Sequence, residues 1–179
     1  MPFKELTPNN WDEPDPASGI WRTISPIVGV REVDGGDFAR EFLSVDLGEQ
    51  VPSEIRDMFH VARGILPYGW FFYPLYRVGE EQLHRVCDAA AASRYRQIGG
   101  PLNHEGKHPS FHGRIGYLVK HGVITDEYEQ LWDYFRDARN QGSHAHFQSA
   151  HPPGRSAESL REAAEAITSL FDIEPTDLS

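Results

Sequence analysis

The stretch TDEYEQLWDYFRDARNQGSH, residues 125–144, decides the fold because it has the period of an amphipathic helix. Thr125 is suited to cap it, and Asp126 and Glu127 would lie in its first turn, where the helix dipole favours anions. At ~100° per residue, the apolar side chains fall within ~80° of Tyr128. The stretch therefore predicts a helix that buries a single apolar stripe: Tyr128, Leu131, Trp132, Phe135 and Ala138.

Similar patterns flank this stretch. Ser53 is predicted to cap a helix that two glycines and a proline break between residues 64 and 69. A longer helix is predicted to begin near Pro74 and to end at the glycine pair 99–100. Ser110 and Ser156 are predicted to cap a short helix and a last amphipathic helix. Together these segments predict an all-α fold, an antiparallel bundle of four or five helices over residues 51–179.

Residues 1–50 lack this period and are expected to form an irregular N-terminal arm. Residues 1–19 are rich in Pro and Asp, which favours loops. A short edge hairpin is the alternative for the rest, with its turn at Asp34-Gly35-Gly36 between the segments Ile20–Val33 and Phe38–Leu47. Pro26 excludes a central strand there because proline cannot donate a ladder hydrogen bond.

The composition excludes several classes of protein. No apolar run approaches the ~18 residues of a membrane span, and the N-terminus lacks the pattern of a secretory signal. The single cysteine, Cys87, allows no intramolecular disulfide and fits the cytoplasm. The net charge of −10 argues against broad, non-specific nucleic-acid binding, although residues 51–122 carry nine basic and six acidic side chains.

Arg139, Asn140 and His144 have side chains suited to phosphate chemistry, since Arg binds anions bidentately and His transfers protons near neutral pH. Arg139 falls at ~20°, inside the apolar stripe, where a buried guanidinium requires an anionic partner. That partner is either a ligand phosphate or a carboxylate of the long helix: Glu80, Glu81 or Asp88. A structural salt bridge beside a solvated histidine explains the same residues without any function. Gly142 offers a helix break that would return His144 towards Arg139.

The order of these helices resembles the HEPN superfamily: a long first helix, a short second helix, a third helix ending in Arg-Asn-x-x-x-His and a final amphipathic helix. The resemblance covers roughly residues 53–173. Many HEPN proteins are metal-independent endoribonucleases of toxin–antitoxin, CRISPR and phage-defence systems. The resemblance places Arg139, Asn140 and His144 in the motif. A polar residue of the first helix often assists; the candidates are Glu80, Glu81 and Asp88, and Glu81 completes the predicted catalytic set.

The resemblance implies that the RNA 2′-hydroxyl attacks the adjacent phosphorus, which requires a base, an acid and cationic support but no metal. One histidine cannot easily do both proton transfers, so a homodimer with a shared cleft is predicted. RNA is the expected substrate, and an antitoxin or regulatory protein is a further expected partner. The alternative is a non-catalytic HEPN-like module that dimerises or binds RNA or nucleotides and regulates a partner.

Two further groups of residues are given structural interpretations. His104, His108 and His112 are spaced by four, but Gly106 and Pro109 prevent them from sharing one helix, and Cys87 alone forms no Cys/His finger pattern, so no metal is expected. No cofactor is expected either. The aromatic run at residues 70–73 has the side chains to stack on bases, but packing in a core or dimer is favoured. Seven basic residues of the middle segment would form a positive surface: Arg77, Arg85, Arg94, Arg96, Lys107, Arg114 and Lys120.

Overall fold

A computed structural model describes residues 3–25, 29–102, 106–142 and 152–173. Six α-helices dominate this part of the chain, and the expected all-α bundle with an irregular N-terminal segment is confirmed. No helix in these ranges has both the length and the apolar character needed to cross a lipid bilayer.

The N-terminal segment contains a small hairpin, in a different place from the one expected. A 3₁₀ turn, Ser18–Ile20, leads to β1 (Arg22–Ser25), which pairs antiparallel with β2 (Gly29–Glu32). The predicted turn at Asp34-Gly35-Gly36 is wrong, because the helix α1 (Gly35–Leu43) begins there.

A capping box explains why a helix begins at Gly35. The Asp34 carboxylate accepts a hydrogen bond from the Asp37 N–H at 2.8 Å, and the Asp37 carboxylate accepts one from the Asp34 N–H at 3.2 Å. These bonds satisfy backbone donors that have no partner within the helix. Phe38 and Phe42, four residues apart, then place α1 against the core.

The irregular arm is anchored to the aromatic run by a buried carboxylate. The Asp15 side chain is fully buried and accepts hydrogen bonds from the N–H groups of Ala17 at 2.9 Å and Tyr73 at 3.1 Å. The Asp15 N–H donates to the Trp70 carbonyl at 2.8 Å. Tyr73 is itself buried and Trp70 packs against Phe38, so the aromatic run serves packing, as favoured above.

α2 (Ser53–Ile65), a 3₁₀ turn (Leu66–Trp70) and α3 (Leu75–Gln97) follow. Ser53 is the first residue of α2 rather than its cap, since Pro52 holds the N-cap position. Gly79 allows α3 to approach the end of α2 closely, because a Cβ atom there would lie 2.6 Å from Leu66 Cδ2.

The last three helices are α4 (Phe111–Lys120), α5 (Asp126–Gly142) and α6 (Pro153–Asp172). Ser110 caps α4 as predicted, and its hydroxyl accepts the Gly113 N–H at 3.3 Å. Ser156 is not the cap of α6. That helix begins three residues earlier at Pro153, where proline loses no hydrogen bond, so Ser156 lies inside the helix and is buried.

α3 lies at the centre of the bundle and packs against α2, α4, α5 and α6. Glu80 contacts Ser156 near the starts of α3 and α6, and Arg94 contacts the Ile173 carbonyl near their ends. This pair of helices is therefore parallel, a departure from the antiparallel order expected. Trp132 and Phe135 of the predicted stripe are buried, and Tyr128 and Leu131 are partly buried against the same core.

Candidate functional site

Arg139 and Asn140 lie in the last turn of α5, and both are exposed. The Arg139 side chain is 46% exposed, so the expectation that it would be buried in the apolar stripe is wrong. Arg139 lies on the same side of α5 as the apolar stripe, but the buried part of that stripe ends at Phe135, four residues earlier. The long side chain then reaches past the core into water.

Asp88 of α3 is the acid that the structure brings to Arg139. Its Oδ2 atom lies 3.6 Å from Arg139 Nη2, and its Oδ1 atom accepts a short hydrogen bond from Arg114 Nη2 on α4. Asp88 and Arg114 are 21% and 16% exposed. One carboxylate thus joins α3, α4 and α5. Of the three candidate acids of α3, Asp88 is the one that contacts Arg139.

The other two candidate acids bind different partners. Glu81 accepts a hydrogen bond from Arg77 Nε at 3.0 Å, one turn earlier on the same helix. Glu80 is 2% exposed and accepts a hydrogen bond from Ser156 Oγ at 2.7 Å. Glu80 therefore holds the first turns of α6 against α3, whereas Glu81 forms a local pair, and its catalytic role stays a prediction.

His84 is a buried ionisable residue that the sequence reasoning missed. It is 4% exposed and lies one turn from Glu80 and one turn from Asp88 along α3. Its ring centroid lies 6.3 Å from that of Tyr134 and 6.4 Å from that of Phe135. The spacing Glu80, His84, Asp88 was visible in the sequence, and it places all three side chains on one side of α3.

Arg136 and His112 form a second polar contact that the sequence reasoning missed. Arg136 Nη1 donates to His112 Nδ1 at 2.9 Å and to Asp133 Oδ1 at 2.6 Å. Arg136 Nη2 also lies 3.0 Å from Asp137 Oδ1. The exposed His112 ring of α4 is thereby bound to α5, and Arg136 lies one turn of α5 before Asn140.

His144 lies outside the described residues, as do His146 and His151. The structure describes the residues on either side of this segment: α5 ends at Gly142, and Pro152 is the N-cap of α6. Gly142, where a helix break was expected, is the last residue of α5. The role of His144, and its return towards Arg139, stay predictions.

The described part of the site is suited to binding an anion. Arg139 offers an exposed guanidinium, and its Nη1 donates a long hydrogen bond of 3.5 Å to Asn140 Oδ1, so the two side chains lie together. A phosphate would compete with Asp88 for the guanidinium and would gain bidentate hydrogen bonds. Asn140 adds an amide donor, which can bind a phosphate oxygen or a histidine.

The described residues form neither a metal site nor a reactive thiol. Within the described ranges, no three or more His, Cys, Asp or Glu side chains lie close enough together to hold a metal ion. Cys87 is fully buried in α3, and burial raises the pKa of its thiol far above the usual range. This cysteine is therefore a core residue rather than a nucleophile.

Comparisons with known proteins returned no relative. No family model, no curated protein and no solved structure matches the chain.

Proposed function

We propose that the protein is a metal-independent endoribonuclease of HEPN type, acting in the cytoplasm as a toxin or phage-defence factor. The observation that carries the proposal is the exposed Arg139–Asn140 pair at the end of α5, with the guanidinium 3.6 Å from Asp88. An arginine placed this way is held on the surface, where a substrate phosphate would compete with Asp88 for the guanidinium. His144 follows four residues after Asn140 in the sequence.

The proposed reaction needs no cofactor. A base removes the proton of the RNA 2′-hydroxyl, the 2′-oxygen bonds to the adjacent phosphorus, and the bond from phosphorus to the 5′-oxygen breaks. An acid then protonates the leaving 5′-oxygen, which leaves a 2′,3′-cyclic phosphate. Arg139 supports the charge that develops on the phosphorane, and His144 transfers the protons.

A homodimer completes the proposed site. A single histidine would have to accept one proton and donate another in the same step. His144 of one protomer therefore acts as the base and His144 of the other as the acid, in a shared cleft. Asn140 orients His144 or binds a phosphate oxygen. An antitoxin or regulatory protein would then control access to the cleft.

The experiment that tests this function is cleavage of a labelled RNA in EDTA, followed by analysis of the product ends. Wild type is expected to leave 2′,3′-cyclic phosphates, and His144→Ala is expected to leave the RNA intact. Retained activity in His144→Ala, or ends without a cyclic phosphate, would remove the support for this mechanism.

The second candidate is a non-catalytic HEPN-like module that binds RNA or a nucleotide. It is favoured by Asp88, whose single carboxylate contacts both Arg114 and Arg139 and offsets their charge. RNA binding that requires Arg139, without cleavage by any concentration of wild-type protein, would select this candidate.

A further inference from the structure

Arg85 and Arg96 of α3 differ from every other exposed arginine in the described ranges. The others each form a salt bridge; for example, Arg22, Arg139 and Arg161 lie 2.9–3.6 Å from a carboxylate oxygen. No carboxylate of the described chain lies within salt-bridge distance of Arg85 or Arg96. In a protein with 27 acidic and 17 basic residues, this local shortage of acids is unusual.

The two arginines lie on one face of α3. They are eleven residues apart, which corresponds to ~20° around the helix axis and ~16 Å along it. Ala89 and Ala92 fall on the same stripe between them, so the floor between the two cations is formed by small side chains. Asp88, which contacts Arg139, lies ~60° from Arg85 around the helix.

The charge of the surrounding chain supports an anionic ligand. Residues 82–122, which include most of α3 and all of α4, contain six basic and two acidic side chains, whereas the whole chain has a net charge of −10. A phosphate bound at Arg85 or Arg96 would displace no carboxylate of the described chain. A phosphate at Arg139 must compete with Asp88.

We propose that Arg85 and Arg96 bind two phosphates of single-stranded RNA and hold the strand along α3 beside Arg139, whose partner Asp88 lies between them in the sequence. The inference rests on the proposed function, since it assigns the path of that substrate. Guanidinium groups bind phosphate oxygens bidentately, and contacts of this kind position a strand without reading its sequence. The path also explains how an acidic protein would bind RNA, because both contacts lie within residues 82–122, where basic residues outnumber acidic ones.

The test measures binding separately from cleavage. The probe is a fluorescein-labelled oligouridylate with every 2′-hydroxyl methylated, which cannot undergo the proposed cleavage. Fluorescence anisotropy gives its affinity at several salt concentrations for wild type, Arg85→Gln/Arg96→Gln and Arg22→Gln/Arg161→Gln. Both double variants remove two exposed positive charges, so they have the same net charge. Arg85→Lys/Arg96→Lys keeps the charge and checks that the face tolerates substitution.

Arg85→Gln/Arg96→Gln is expected to weaken binding and to reduce the slope of log K against log salt by about 1.4, the value for two single-strand phosphate contacts. The control pair and the lysine pair are expected to keep nearly the wild-type slope. Equal slopes in both glutamine pairs, or wild-type protein that does not bind the probe, would overturn the proposed path. Cleavage of RNA by wild type in EDTA is measured separately. If wild type cleaves RNA but Arg85→Gln/Arg96→Gln keeps the wild-type salt slope, only the proposed path is wrong. If the salt slope of that variant falls but wild type does not cleave RNA, only the proposed nuclease activity is wrong.

Discussion

Asp88 Oδ2 lies 3.6 Å from Arg139 Nη2, which joins the middle of the central helix to the last turn of α5. The same carboxylate also binds Arg114 of α4. Asp88 therefore does two things at once: it fixes the packing of three helices, and it holds an exposed guanidinium at a defined place on the surface.

Asp88→Asn is expected to tighten RNA binding and to destabilise the fold. The change removes the acid that competes with a phosphate for Arg139. It also leaves the mostly buried Arg114 opposite a neutral amide, which should cost about 1–3 kcal/mol of unfolding free energy. Anisotropy with the methylated RNA and urea denaturation measure the two effects. Asp133→Asn, which removes an exposed partner of Arg136, is the control and should change both little. Weaker RNA binding by Asp88→Asn would contradict this interpretation.

Gly79→Ala and Gly116→Ala should have opposite effects on stability, although both lie inside helices. A Cβ atom at Gly79 would lie 2.6 Å from Leu66 Cδ2, and Leu66 is fully buried, so overpacking should cost about 1–3 kcal/mol. A Cβ atom at Gly116 has no neighbour within 4 Å. Alanine there should stabilise α4 by about 0.5–1 kcal/mol because it reduces the entropy lost on folding. Thermal unfolding of the two variants checks the signs, and a stabilising Gly79→Ala would refute the close approach of α2 and α3.

Ser156→Ala should lower the free energy of unfolding by about 1–3 kcal/mol, because it removes the hydroxyl that donates to the buried Glu80 carboxylate. The control is Ser53→Ala at the exposed first residue of α2, where no side-chain cap is formed. Urea denaturation at one pH compares the two variants. Similar small losses in both would show that the contact between α3 and α6 does not depend on this hydrogen bond.

The stability of α1 should depend on acid pH through Asp37. The hydrogen bond from Arg31 and the backbone bond from Asp34 hold the pKa of the Asp37 carboxyl well below its usual range. A carboxyl group whose pKa is lowered by folding contributes its full stabilisation at a pH above its pKa in the unfolded chain, about 3.9. This stabilisation is lost as the pH falls below that value towards the lower pKa of the folded state. Arg31→Gln should therefore flatten the decline of the melting temperature between about pH 5 and pH 2. Arg22→Gln, whose partner Glu32 is 80% exposed, should follow the wild-type profile. A wild-type profile in Arg31→Gln would contradict the assignment.

The sequence predicted the helices well because their patterns are long, and the stripe through Trp132 and Phe135 repeats over several turns. It failed at residues 34–37, where a glycine pair suggested a turn and two aspartates instead built a capping box. It also failed at Ser156, because a proline three residues earlier had already begun the helix. In both places, a few local hydrogen bonds decide between structures that the hydrophobic pattern does not distinguish.

The candidate site was only partly predictable for a related reason. The angle of Arg139 on its helix was predicted, but its exposure depends on where the core ends, which is a property of the packed helices. The choice of Asp88 among three acids depends on how α3, α4 and α5 meet, and one helix alone does not contain that information. Arg136 and His112 are 24 residues apart in sequence, so only the fold brings them together.

Cleavage of a labelled RNA in EDTA by Arg139→Ala and Arg161→Ala tests the central claim most directly. The two arginines are matched, since each side chain is 46% exposed and each forms a salt bridge, Arg139 with Asp88 and Arg161 with Glu41. The account predicts that wild type and Arg161→Ala cut the RNA in EDTA, whereas Arg139→Ala is slower by roughly 10²–10³-fold, the loss expected for one group that stabilises transition-state charge. Equal rates for the two variants, or no cleavage by wild type, would contradict it.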